Sequence, residues 1–220
     1  MKNTALIFCE GQFGQLDGKT AAGLIRESEV YSIVGVIDSA LEGKDAGEVL
    51  GMKKCGIPIF KSLVSALQKI PLTPDYLIYG KAPLEAFISF EERRVIIQAM
   101  RKGMSIVNGL HQFFSEDVEF LEMAKEQEVK IIDIRKPPNT KDLHLYCGKR
   151  RSVDVPVIAV LGTDCASGKR TTAVKLNREL NNLGIHSILV GTGQTSLMQG
   201  SKYGIAIDAL PSQFVIGEIE

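Results

Sequence analysis

The sequence predicts an α/β protein in two parts. A parallel-sheet domain spans residues 1–150, and a smaller, partial α/β unit built on a phosphate-binding loop spans residues 151–220. Three observations lead there. Short, continuous apolar runs alternate with helical stretches from Thr4 to Ile132, as buried parallel strands in βα units do. Near residue 155 the run Val155–Leu161 leads into a glycine-rich segment, and then into apolar positions Ala173, Leu176, Leu180 and Leu183 at helical spacing. Hydrophobic residues make up 45% of the chain and charged residues 24%, which is enough apolar material for a globular core.

The elements follow in order. Thr4 to Cys9 is an apolar run that ends in Glu10-Gly11-Gln12-Phe13-Gly14, a strand followed by a turn. Lys19–Arg26 reads as a helix and Tyr31–Ile37 as the next strand, with Asp38 at its end. Ile57–Phe60, Tyr76–Tyr79, Met104–Val107 and Val129–Ile132 supply further strands. Helices are expected near Asp45–Leu50, Leu63–Lys69, Phe90–Lys102 and Ser115–Gln127. Charged positions such as Glu91-Glu92-Arg93-Arg94 read as solvated helix faces. Pro137-Pro138-Asn139 breaks the alternation, and the polar stretch from there to Asp154 reads as a crossover or boundary segment.

The second part carries the strongest chemical signal. Gly162-Thr163-Asp164-Cys165-Ala166-Ser167-Gly168-Lys169-Arg170-Thr171 lies between a strand-like run and a helix. Such a loop offers backbone N–H groups and a helix N-terminus to a phosphate, with a lysine beside them. Five residues separate Gly162 from Gly168, where the usual loop has four, and Arg170 stands where a magnesium-binding hydroxyl normally follows the lysine. Gly162 permits the tight exit from the strand, Gly168 the close approach of backbone, and Lys169 supplies charge. Thr171 suits either magnesium binding or the first helical turn. Gly193-Gln194-Thr195 follows the next strand, Ser187–Val190, and offers amide and hydroxyl groups suited to ligand positioning.

Weaker candidates lie in the first part. Gly11-Gln12-Phe13-Gly14 is not the dinucleotide fingerprint, though Asp38 ends the next strand where a ribose-binding carboxylate can stand; a turn-forming aspartate is the other reading. Glu10 and Asp17 are placed to line the same crevice. His111, in Asn108-Gly109-Leu110-His111, suits substrate contact, proton transfer or a structural role. Arg135 suits either a carboxylate partner or a salt bridge at the boundary.

Composition narrows the classes. Lys plus Arg equals Asp plus Glu at 26 each, so nothing favours nucleic-acid binding or an anionic membrane surface. The four cysteines and three histidines are dispersed, without zinc spacing or a disulfide framework, and no metal centre is expected. Cysteine use of this kind fits a reducing cytoplasm. No apolar run is long enough to span a bilayer, and the N-terminus does not read as a signal peptide.

Several segments together resemble a bacterial family with a Rossmann-like amino-terminal domain and a P-loop carboxyl-terminal domain, which includes D-glutamate N-acetyltransferases. They are Glu10–Gly14, Leu16–Ala21, Val34–Ser39, Gly43–Gly47, Gly56–Phe60, Gly109-Leu110-His111, Arg135–Pro138, Gly162–Cys165, Gly168-Lys169 and Gly193–Thr195. The resemblance implies transfer of an acetyl group from acetyl-CoA to the amino group of D-glutamate or a related amine. The phosphate loop would then hold CoA phosphates; ATP or another nucleotide, with magnesium left open, is the alternative. It also implies proton-handling or amine-binding roles among His111, Glu10 and Asp38, and a substrate-carboxylate clamp in Arg135. A small anionic substrate and a homo-oligomer fit the same reading. A nucleotide-dependent ligase or kinase, and a non-catalytic nucleotide- or partner-binding protein, are the competing classes. Gln112 and Gln213 stand where the family pattern has acidic residues. Family members continue beyond the point corresponding to Glu220, so the P-loop domain is expected to be incomplete.

Overall fold

The computed structural model describes residues 2–82, 87–164 and 167–220. The chain forms two compact units, residues 1–135 and 136–220. The division falls at the Pro137-Pro138 segment, and the stretch 136–150, counted with the first domain in the sequence reading, clusters with the second unit.

The first unit is a six-stranded sheet, all parallel, in the order β3-β2-β1-β4-β5-β6. Its strands are β1 (Asn3–Phe8), β2 (Tyr31–Ile37), β3 (Ile59–Phe60), β4 (Tyr76–Tyr79), β5 (Ser105–Asn108) and β6 (Ile131–Asp133). Strand order reverses between β1 and β4, so the crevice at their carboxyl ends is the natural ligand position of this doubly wound fold. The helices are α1 (Lys19–Arg26), α2 (Ala46–Val49), α3 (Leu63–Lys69), α4 (Phe90–Arg101) and α5 (Val118–Glu126).

Local chemistry explains the boundaries. Ser62 and Ser89 each open a helix with a reciprocal capping box, Ser89 with Glu92 in the order the sequence signature requires. Asp117 caps α5 by accepting from the Glu119 and Phe120 amides. The centres of β1 and β4 are nearly inaccessible: Leu6, Ile7, Leu77 and Ile78 are each at most 1% exposed. One core, on the face covered by α3, α4 and α5, joins Leu6, Phe8, Leu77, Ile96, Phe114 and Phe120. Arg93 binds α4 to α5. Its guanidinium lies 4.5 Å over the Phe120 ring and pairs with both Asp117 and Glu119.

In the second unit the helices are α6 (Lys169–Asn182), α7 (Gln194–Gln199) and α8 (Ser212–Ile219). Two two-residue strands, β7 (Val190–Gly191) and β8 (Tyr203–Gly204), pair in parallel. The expected strand Val155–Leu161 is not one. Those residues join no ladder, and Val157, Ile158 and Leu161 are 63%, 63% and 84% exposed. Ser187–Val190 contributes only its last residue to a strand, and the Gly193 segment opens a helix. The helix after the glycine-rich loop is present and ends in a Schellman motif: the Gly184 amide donates to Asn181 O and the Ile185 amide to Leu180 O, with Gly184 at φ +78°. No helix among the described residues is long and apolar enough to cross a membrane.

Candidate functional site

Three neighbourhoods carry polar chemistry. The first is the turn after β1. Asp38 is 1% exposed, and its two carboxylate oxygens accept from the Phe13 amide (3.0 Å) and the Ala40 amide (3.1 Å). It therefore ties the Gly11–Gly14 turn to the end of β2. Each Asp38 oxygen thus accepts one backbone amide, as the turn-forming reading of this aspartate expects. α1 starts well downstream of β1, and its Ala21 amide donates to Gly80 O (3.1 Å). A dinucleotide pyrophosphate uses such first-turn amides; here the Ala21 amide is taken by the chain's own carbonyl. Gly18 is required by the same packing, since a Cβ there would lie 2.1 Å from Gln12 O. Glu10 is more accessible and accepts the Ser39 amide (3.0 Å) and the Ser39 hydroxyl.

The second neighbourhood lies at the ends of β5 and β6. Asn108 and Asp133 are register partners. Asn108 Nδ2 donates to Asp133 Oδ1 (2.7 Å) and to Gln112 O (2.7 Å), while Asn108 Oδ1 accepts the Leu110 amide (3.0 Å). Asp133 also accepts the amides of Phe114 and Ser115 (3.0 and 2.8 Å). The loop bearing His111 is thus held from both ends. Arg135, 8% exposed, donates from Nε to Gly109 O (2.6 Å), and its Nη1 lies 3.0 Å from His111 Nε2. The structure brings together these two residues, which the sequence reading singled out separately. An arginine can only donate, so Nε2 is the acceptor in this contact and holds a lone pair there. Gln112 accepts the Ile88 amide through Oε1 (3.0 Å).

The sequence reading missed a neighbouring cluster. Glu92, taken as part of a solvated face, is 9% exposed and accepts from the Tyr79 hydroxyl (2.9 Å), the Lys81 ammonium (2.7 Å) and the Ser89 amide (2.7 Å). Burial by itself would raise its pKa, but these donors and the Lys81 charge outweigh it and hold the carboxyl below its ordinary range. Burial, reinforced by the Glu92 charge, pushes the Tyr79 phenol up, so it stays a donor. The Ser89-x-x-Glu92 capping signature was the signal that Glu92 has a fixed place.

The third neighbourhood is the glycine-rich loop. Gly168 takes φ +89° immediately before α6, a conformation glycine adopts without strain. Lys169 opens the helix, and its ammonium reaches back to Asp164 O and to Ser167 Oγ (3.2 Å). Ser167 Oγ itself donates to Asp164 O (3.0 Å). A Cβ at Gly162 would fall 2.6 Å from Ser167 Oγ and 2.8 Å from Lys169 Cγ, so the loop closes tightly over that glycine. Lysine, serine hydroxyl and helix start therefore converge as anion binding requires. Thr163 and Asp164 are exposed beside them, and Arg170 and Thr171 lie in the first turn of α6, half-buried. Cys165 and Ala166 lie outside the described residues. Gly193 is the N-cap of α7, and Gln194 and Thr195 are buried in its first turn, 7% and 5% exposed, rather than standing in an open loop. Among the described residues, no group of three or more His, Cys, Asp or Glu side chains is placed to hold a metal ion.

Comparison with known proteins agrees with this division. A model of a Rossmann-like domain of unknown function (DUF1611_N) matches residues 39–137, and one of a P-loop domain of unknown function (DUF1611_C) matches residues 144–220. A protein named D-glutamate N-acetyltransferase from Tritonibacter scottomollicae is 31% identical over 66% of this chain and 42% of its own length. Another of that name, from a Pseudoalteromonas species, is 30% identical over 57% of this chain and 36% of its length. The crystal structure of a DUF1611 family protein from Anabaena variabilis aligns with 99% of this chain and 61% of its own, at 30% identity and a TM-score of 0.87. The chain thus spans under half the length of the curated relatives it matches. With a parallel Rossmann-like sheet, a P-loop segment and both family models matched in order, this chain belongs to the DUF1611 family.

Proposed function

We propose that this chain carries substrate- and phosphate-handling parts of an amino-acid N-acetyltransferase, which moves acetyl from acetyl-CoA to D-glutamate or a related amine. The observation that carries this reading is the likeness to two relatives bearing that activity's name, which runs over more than half of this chain. The convergence of Lys169, Ser167 and the start of α6 supports a phosphate-bearing donor and fits the CoA phosphates. When bound, acetyl-CoA supplies the activated thioester.

The chain's own residues would then do three things. Lys169 and the loop amides hold the donor's phosphates, and need no magnesium hydroxyl at Arg170 to do so. Arg135, held by Gly109 O, presents the positive charge that a substrate carboxylate seeks. His111, with Nε2 fixed as acceptor by Arg135, is the candidate to take a proton from the acceptor amine once that contact opens. Glu10 is the second candidate to hold the amine.

A nucleotide-dependent ligase is the second reading, favoured by the P-loop domain itself. Mass spectrometry of reactions with acetyl-CoA and a panel of D- and L-amino acids separates the two. An acetylated amino acid that disappears in Lys169→Ala, with the far-UV circular dichroism unchanged, supports the transferase. Magnesium-dependent ATP turnover without acetylated product replaces it with the ligase.

A further inference from the structure

His111 and Arg135 lie 24 residues apart in the chain, after different strands, yet their side chains meet. One residue ties both segments together. Asn108, the last residue of β5, is fully buried. Its Oδ1 accepts the Leu110 amide (3.0 Å), and its Nδ2 donates to Gln112 O (2.7 Å), so the side chain grips the backbone on both sides of His111. Nδ2 also donates to Asp133 Oδ1 (2.7 Å), and the Asn108 carbonyl accepts the Ile134 amide (2.9 Å). Asp133 and Ile134 are the two residues immediately before Arg135. Arg135 closes the ring by donating from Nε to Gly109 O, next to Asn108.

The partners dictate the residue type. The Leu110 amide can only donate, whereas the Gln112 carbonyl and the Asp133 carboxylate only accept. Position 108 must therefore present one acceptor and two donors from one short planar group. Asparagine does so with both Nδ2 hydrogens used. An ionised aspartate lacks the donors, and an aliphatic side chain lacks all three groups.

We infer that Asn108 is the positioning residue of the His111–Arg135 pair. It acts through the backbone of their neighbours rather than through either side chain. With both main chains fixed, Arg135 Nη1 stays 3.0 Å from His111 Nε2. The neutral ring then keeps its lone pair at Nε2 and its proton at Nδ1. This tautomer follows from the geometry alone. Its part in catalysis rests on the acetyl-transfer reading above, in which Nε2 takes the proton of the acceptor amine.

Proton–nitrogen NMR correlations of the histidine rings, recorded on the whole chain in mildly alkaline buffer, read the tautomer directly. In the wild type His111 is in the Nδ1–H form. Asn108→Ala gives a mixture of both tautomers and lowers kcat for acetyl transfer about tenfold or more, as a misplaced reacting group does. Asn108→Asp keeps the acceptor for the Leu110 amide, removes both donors and gives the same mixture; it serves where the alanine variant does not fold. Ile7→Ala, at a fully buried position of β1, disturbs the same sheet elsewhere and leaves the tautomer as in wild type. Three results overturn the inference: a wild-type His111 in the Nε2–H form, folded Asn108 variants that keep the Nδ1–H form, or the same mixture in Ile7→Ala. A wild type that holds the Nδ1–H form, loses it on Asn108 substitution and yet forms no acetylated amino acid overturns the transferase reading instead, and the assignment of Asn108 stands.

Discussion

The two units treat their apolar residues in opposite ways. In the first, β1, β4 and β5 bury their central residues, the last three residues of β2 are buried as well, and every neighbouring pair of strands is hydrogen-bonded, with one register shift between β1 and β2 at Ala5/Leu6. In the second, Val155, Val157, Ile158, Leu161, Ile188 and Val190 are all at least half exposed, and the only ladder among the described residues is two residues long. The sequences are similar in kind: short apolar runs before a turn. The difference teaches that such a run becomes a strand only when a partner strand is there to take its backbone groups and cover its faces. α6 needs no such partner for its hydrogen bonds, and it forms where the spacing predicts it.

The largest effect that sharpens this contrast is Phe120→Ala. This ring is fully buried, 5.0 Å from Phe114 and beneath Arg93. Its loss lowers the unfolding free energy of the first unit by about 3–5 kcal/mol, read from denaturant melts followed by circular dichroism. A loss below about 1 kcal/mol would mean that this core is not close-packed.

A smaller effect concerns acid stability. Glu92 and Asp117 both have carboxyl groups held below their ordinary range, Glu92 by its donors against burial and Asp117 first by hydrogen bonding from Arg93. A depressed folded-state pKa gives stability that is complete above the unfolded value, about 4.3 for glutamate, and is lost as pH falls through the folded value. The first unit therefore loses stability below about pH 4. Glu92→Gln costs about 1–3 kcal/mol at neutral pH, and the gap from wild type narrows in acid. A gap that stays constant from pH 7 to pH 3 would contradict this assignment.

The smallest effect is expected in the second unit. Ile158→Ser changes stability by less than about 0.5 kcal/mol, as a substitution at an exposed position outside any ladder does. A cost comparable to Phe120→Ala would show that Val155–Leu161 is buried in solution and would erase the contrast between the units.

Much of the first unit was legible in the sequence. Lys19–Arg26, Tyr31–Ile37, Leu63–Lys69 and Tyr76–Tyr79 form with the boundaries that periodicity gives them, because local pattern and tertiary burial agree there. The glycine-rich turn and α6 were legible for the same reason. Partnership in space was not. Asp38 looks like a ligand group in one dimension, and only the fold brings the Phe13 amide to it. Glu92 sits in a run of charges that reads as a surface, yet Tyr79 and Lys81 converge on it from β4 and the residues that follow. The Arg135–His111 contact joins residues on either side of α5 and β6, a pairing that no spacing rule encodes.

The Gly80 carbonyl at the start of α1 has a consequence for how the first unit is held together. In a dinucleotide enzyme the guest binds at this point and, by mass action, raises the folded fraction as its concentration rises. Here the corresponding amide is satisfied from within the chain. That hydrogen bond is instead a fixed part of the fold, tying the start of α1 to the residue that follows β4.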